Sequence, residues 1–177
     1  MNKKVISFGI GATEINRAIR ELEKYKREFL QKVDVYRKRI ADAISTEAQS
    51  GFNSSEMDDI VNGGMRSPNV NVSVTERGDI SVVVADGEDA IWCEFGAGVY
   101  HNGAVGSSPN PYGVNVGYTI GGYGKGRGKQ AVWGYYEDEG DKSSLVLTHG
   151  TPASMPMYKA VQSVRDKAVS IAKEVFG

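Results

Sequence analysis

Cysteine is almost missing from this chain of 177 residues, histidine occurs twice, and neither sign of charge is in excess. Each scarcity excludes something. A lone Cys93 leaves no disulfide framework and no zinc cluster with recognisable ligand spacing. Within its apolar run, and with no basic residue close by, it reads as a small hydrophobe rather than a reactive thiol. His101 sits in a polar loop and His149 at a strand end, and neither has a Cys, His or carboxylate at metal-ligand spacing, so both read as surface or turn residues. With 21 basic against 22 acidic side chains the formal net charge is -1, which removes the basic balance of a dedicated nucleic-acid binder; any DNA contact must be local. Long apolar runs are lacking too. Val5 to Phe8 is too short for a signal-peptide core and no later segment approaches a membrane span, so the chain is expected to stay soluble inside a cell.

What is present is amphipathic order. The length predicts one domain, 1–177, with a core of its own. Val5 to Phe8 reads as a short edge strand within an N-terminal arm, 1–12, and Thr13 as a helix N-cap. Ile15, Ile19, Leu22, Tyr25, Phe29, Val33, Tyr36, Ile40 and Ile44 recur at steps of three and four, predicting a long helix over 13–50 with one buried stripe. Such a helix is longer than one small sheet needs for cover, which leaves part of the stripe for a neighbour. Residues 51–69 read as a loop holding a helical turn around Met57 to Val61.

The alternation of Val70, Val72 and Val74 with polar residues, the Gly78-Asp79 turn and Ile80 to Ala85 predict a hairpin. Ala90 to Phe95 reads as a third strand in succession. A glycine-rich loop, 100–130, follows, with strand-like alternation only at Tyr112 to Ile120. Ala131 to Tyr136 and Leu145 to His149 read as further strands, and a second amphipathic helix as 154–176. The fold class is α+β: long N-terminal helix, an antiparallel sheet of about five strands over 70–149, and a C-terminal helix.

Few residues invite chemistry. Glu94, without a second converging carboxylate or a nucleophile motif, reads as an ion-pair partner or an acceptor for turn amides. The run Gly121 to Lys129 meets neither phosphate-loop spacing, but Lys125, Arg127 and Lys129 make it a candidate DNA or subunit contact. Trp133, Tyr135 and Tyr136 share one strand and must divide between core and outer face, so one side presents aromatic surface suited to an interface. An enzyme would need Glu94 and His101 or His149 to converge in a pocket, which nothing in the sequence encourages.

Three motifs remain: Glu94-Phe95-Gly96-Ala97-Gly98 after an apolar run, the aromatic strand Trp133 to Tyr136, and Thr148-His149-Gly150-Thr151-Pro152-Ala153 leading to Met155-Pro156-Met157-Tyr158. In this order, with a long helix on either side, they resemble the small neck or tail-completion proteins of long-tailed double-stranded DNA bacteriophages, also known as head-tail joining or minor tail proteins. The resemblance implies a structural, non-enzymatic virion protein without cofactor or metal, assembled in the bacterial host cytoplasm as a ring, six-fold by expectation. It would join the head connector to the tail terminator or tail-tube protein and continue the DNA channel without reading sequence. Glu94, Phe95, Gly96, Gly98, Trp133, Tyr135, Tyr136, Thr151, Pro152 and Pro156 are the motif residues so implied. The loop 100–130 departs from the pattern by its length. A tail-terminator-like ring and a small nucleic-acid-binding module using the basic glycine-rich loop are the alternatives.

Overall fold

A computed structural model describes residues 9–60, 63–96, 112, 132–138, 140–151 and 153–177. The long apolar stripe produces helix α1, Ala12–Asn53. It starts at Gly11, not at Thr13: the extended Gly11 carbonyl accepts from the Glu14 and Ile15 amides at 3.0 Å, and no side chain caps the helix. A bare glycine can begin a helix when packing further along supplies its stability.

The segment expected as a loop over 51–69 instead holds the last turn of α1 and a short antiparallel pair, β1 (Met57–Asp59) and β2 (Gly64–Arg66). Met57 is a strand residue, not part of a helical turn. Three-residue strands are too short for alternation to be legible, and what holds β1 is the burial of Met57 beside Phe52. The hairpin of β3 (Asn71–Arg77) and β4 (Ile80–Asp86) forms as expected, closing on Gly78 with φ 62. Its inner face lies on α1, where the Arg37 guanidinium reaches both the Gly78 carbonyl, at 2.8 Å, and the Glu76 carboxylate, at 2.7 Å.

The third expected strand is a helix. Ala90–Phe95 forms α2, burying Ala90, Cys93 and Glu94 at the one, four and five spacing of a helical turn while Ile91 faces solvent. A short apolar run suits either element, and here the turn at Gly87 and Asp89 directs the chain into helix. Beyond the long loop, β5 (Trp133–Tyr136) pairs with β6 (Leu145–Thr148) across a 3-10 turn at Lys142–Ser144, and α3 (Pro156–Phe176) closes the described chain.

The expected single sheet of about five strands is therefore corrected to three two-stranded antiparallel sheets among the described residues. With α2 helical, the β3–β4 hairpin has lost the strand that would extend it. Helix α3 runs back antiparallel along α1, from Pro156 against Gly51 to Phe176 against Phe29, whose ring centroids are 5.8 Å apart. Ion pairs Lys167–Glu47 (2.6 Å) and Arg39–Glu174 (3.1 Å) flank the contact. Phe52, Met57, Ala90 and Cys93 form the core, with Val70, Val72, Ala85, Trp92 and Met157 packed around it. The edge strand expected at Val5 to Phe8, the Tyr100 to Gln130 loop apart from Tyr112, and the strand-like alternation following Tyr112 lie outside the described residues.

Candidate functional site

A helix N-terminus exposes amide groups with no intrahelical acceptor, and α3 begins in a way that cannot solve this locally. Its N-cap is Met155, which has no side-chain acceptor, and its first helical residue is Pro156, which has no N–H. The acceptors come from α2. The Glu94 carboxylate takes the Met157 amide on one oxygen (2.8 Å) and the Tyr158 amide on the other (3.0 Å). The Cys93 carbonyl takes the amides of Ser154 (2.9 Å) and Met155 (3.2 Å). From Lys159 onward the helix serves itself, beginning with Lys159 N–H to the Met155 carbonyl at 3.0 Å. A buried carboxylate at the positive end of the helix dipole adds a charge interaction to these hydrogen bonds.

The approach is close enough to dictate small residues. Gly96, with φ 79, ends α2 where a Cβ would stand 3.0 Å from the Ala153 amide nitrogen and 3.1 Å from the Thr151 carbonyl oxygen. Gly51 on α1 is similarly pressed, its Cβ position 2.8 Å from the Pro156 Cβ. Between them the Ser55 hydroxyl donates to the Gly51 carbonyl at 2.8 Å and lies 2.7 Å from the Ser154 hydroxyl. Gly96→Ala should cost about 2 kcal/mol, from a backbone conformation nearly reserved for glycine and the contact with Ala153. Denaturant melts would register it as a lower midpoint with an unchanged slope.

A second linkage stands on the other side of α2. Arg66 of β2 grips Asp89 with two nearly parallel hydrogen bonds, 2.7 and 2.9 Å, and Asp89 also accepts the Asn69 amide at 2.8 Å. Burial alone would raise the Asp89 carboxyl, but Arg66 and the Asn69 amide outweigh it and hold the group below the usual carboxylate range. Arg66 is raised in turn, chiefly by its hydrogen bond to Asp89 and further by one to Tyr135 of β5. Burial first, then the Asp89 charge, pushes the Cys93 thiol up to about 11, which suits the inert role expected of it.

The structure thus gathers Glu94, Phe95, Gly96, Thr151 and Pro156 around one junction. Glu94 does accept amides, as its sequence context suggested, but those of a helix 63 residues further on rather than of its own turn. Trp133, Tyr135 and Tyr136 lie on β5, a separate element, where Tyr135 is half-buried and joins the Arg66 linkage while Tyr136 is exposed. His149 is exposed, with its Nδ1 3.0 Å from an Asp58 oxygen and its amide bonded to that same oxygen. Gly98, His101, Lys125, Arg127, Lys129 and Pro152 lie outside the described residues. Among the described residues no group of three His, Cys, Asp or Glu side chains is placed to hold a metal ion, and no helix is long and apolar enough to cross a membrane.

Sequence reasoning missed Arg66, Asp89, Ser55 and Gly51. The one signal available was negative: a helix opening on Met-Pro carries no cap of its own, so an acceptor had to arrive from elsewhere. Compared with family models, with curated proteins and with solved structures, the chain matches none of them.

Proposed function

We propose that this chain is a structural protein of the head-tail junction of a long-tailed double-stranded DNA phage, a neck or tail-completion subunit. The observation that carries the reading is the convergence of two of the three resembling motifs. Glu94-Phe95-Gly96 and the approach to α3, more than fifty residues apart in sequence, meet at one junction, where Glu94 accepts two amides of α3 and the adjacent Cys93 carbonyl accepts two more. Motif residues spent on positioning a helix, rather than on a reactive centre, fit an architectural part. Helix α1 supports the same reading, because its apolar stripe from Ile15 to Val33 stays 36–55% exposed, a surface that copies or neighbours would cover.

On this reading the subunits form a ring, six-fold by expectation, stacked between the head connector and the tail terminator or tail-tube protein, with DNA passing through the channel. A ring needs heterologous contacts, one patch docking on a different patch of the next copy. The near-neutral charge suits a lining that lets phosphates pass without gripping them. No bond is made or broken. The test is light scattering with negative-stain imaging of the full chain, alone and mixed with tail tubes or emptied heads. Particles capping a tube end or a head vertex are expected. A chain that ignores both and binds DNA with steep salt dependence would replace this reading with a nucleic-acid module.

A further inference from the structure

The described fold leaves one large apolar surface only partly covered, and it lies along a single line of α1, exposed from Ile15 to Val33 and half-buried at Ile40 and Ile44. At 100° per residue, Ile15, Ile19, Leu22, Val33, Ile40 and Ile44 fall within about 60° of one another. The line has two halves. From Val33 to Ile44, with Arg37 among them, it is the floor of a groove of about 530 Å³, walled by Val161, Arg165 and Ala168 of α3 on one side and by Ser81 and Val83 of β4 on the other. N-terminal to Phe29, where α3 ends, α1 continues for roughly 25 Å, carrying Ile15, Ile19 and Leu22 at 40–55% exposure. Two charges fall on that line: Lys26, whose apolar stem lets the ammonium reach water, and Arg37 in the groove, which is held by Asp34, Glu76 and the Gly78 carbonyl.

The two edges of the β3–β4 hairpin are treated differently. On β3, Gln49 accepts the Val72 amide at 2.7 Å and donates to the Val70 carbonyl at 3.1 Å, while Ser45 donates to the Val72 carbonyl at 3.3 Å. The register turns the backbone groups of Ser81 and Val83 away from β3, to an edge that no described strand pairs, beside the groove. A helix laid alongside is one of the ways proteins cover such an edge.

We propose that in the free protein this surface is covered by the same surface of a second copy, the two α1 helices packing antiparallel about a two-fold axis near Phe29 and Leu30. Because overhang and groove floor share one helix face, a single antiparallel contact places each overhang in the other copy's groove. Both are filled at once, as an isologous interface requires. The area agrees. Ile15, Ile19, Leu22, Phe29, Leu30 and Val33, six large apolar side chains, are on average a little under half exposed. At roughly 150–200 Å² for a large side chain they offer on the order of 500 Å². That is close to the apolar share of the ~800 Å² that each partner brings to a standard interface. A conduit has different partners above and below, so the pair is a form of the free protein that shields the stripe until assembly, and it stands or falls separately from the tube-capping test.

Leu30→Cys tests it in the full chain. Leu30 is 55% exposed, and native Cys93 is fully buried and will not compete. Near a two-fold axis the introduced thiol meets its own copy within disulfide reach, so mild oxidation should give a covalent dimer in high yield. Ile15→Cys, roughly 20 Å from the axis, should give none. Light scattering should show twice the chain mass, and Leu22→Glu, a change at an exposed position, should return it to one chain mass without moving the thermal midpoint of the monomer. A monomeric wild type, a larger assembly in which Leu30→Cys gives no crosslink, or an association indifferent to Leu22→Glu would each overturn the pairing. So would a monomer whose groove takes up an apolar dye whether or not Leu22 is changed, because the groove would then be a small-ligand pocket.

Discussion

Glu94→Ala should cost about 4 kcal/mol of folding stability, the sum of two charge-assisted hydrogen bonds lost in a buried setting and the amides left without acceptors. In a chain of this size that corresponds to a fall in Tm on the order of 10 °C. The physical reason lies in the start of α3. Met155 cannot cap it, Pro156 donates nothing, and the Cys93 carbonyl is already taken by Ser154 and Met155. Without the carboxylate, the Met157 and Tyr158 amides lose their partners at the buried end of the helix. Glu94→Gln separates charge from geometry. Its one amide oxygen can accept a single N–H while its NH2 confronts the other, so about half the loss should return. If alanine and glutamine variants melt with the wild type, the junction is not what holds α3. Combined with Gly96→Ala, the loss should fall short of the sum, because both changes loosen the same contact.

Arg66→Met should be the next most damaging change, at about 3 kcal/mol near neutral pH, because it strands the buried Asp89 carboxylate; partial exposure of Arg66 keeps the figure below that of a fully buried pair. The pH dependence supplies a check of mechanism. The folded-state carboxyl of Asp89 is held below its ordinary value, so the stability it contributes is complete above the usual carboxylate range and is lost as pH falls through the folded value. In Arg66→Met, burial dominates and the carboxyl moves up. The gap between wild type and variant should therefore be widest at neutral pH and narrow as the medium is acidified to about pH 3. Urea midpoints at several pH values measure it directly. Adding Asp89→Asn to Arg66→Met should recover part of the loss, since a neutral amide no longer strands a charge. A gap constant with pH would assign Arg66 a packing role only.

How much of this is legible in the sequence depends on distance along the chain. Helices α1 and α3 announce themselves through apolar residues at steps of three and four, and the β3–β4 hairpin through strict alternation around Gly78. Each is a local pattern that its own residues enforce. Ala90 to Phe95 is not legible: six residues carry too few periods to separate strand from helix, and the decision comes from which of them the core accepts, Ala90, Cys93 and Glu94 on one helical face. β1 and β2 are hidden by their three-residue length and exist because Met57 is buried against Phe52. Glu94 can be read as an acceptor for amides, yet nothing local says that the amides belong to α3.

By itself, then, the sequence determined the long helices, the central hairpin, the lone inert cysteine and the balance of charge, since these follow from composition or from neighbours within one or two turns. Only the tertiary structure decided which residues meet. It divided the described strands into three pairs, made α2 a helix, set Glu94 against the N-terminus of α3 and Arg66 against Asp89, and left the α1 stripe exposed from Ile15 to Val33. These outcomes turn on burial and on the satisfaction of backbone amides, which belong to contacts between segments far apart in the chain and leave no mark in either segment alone.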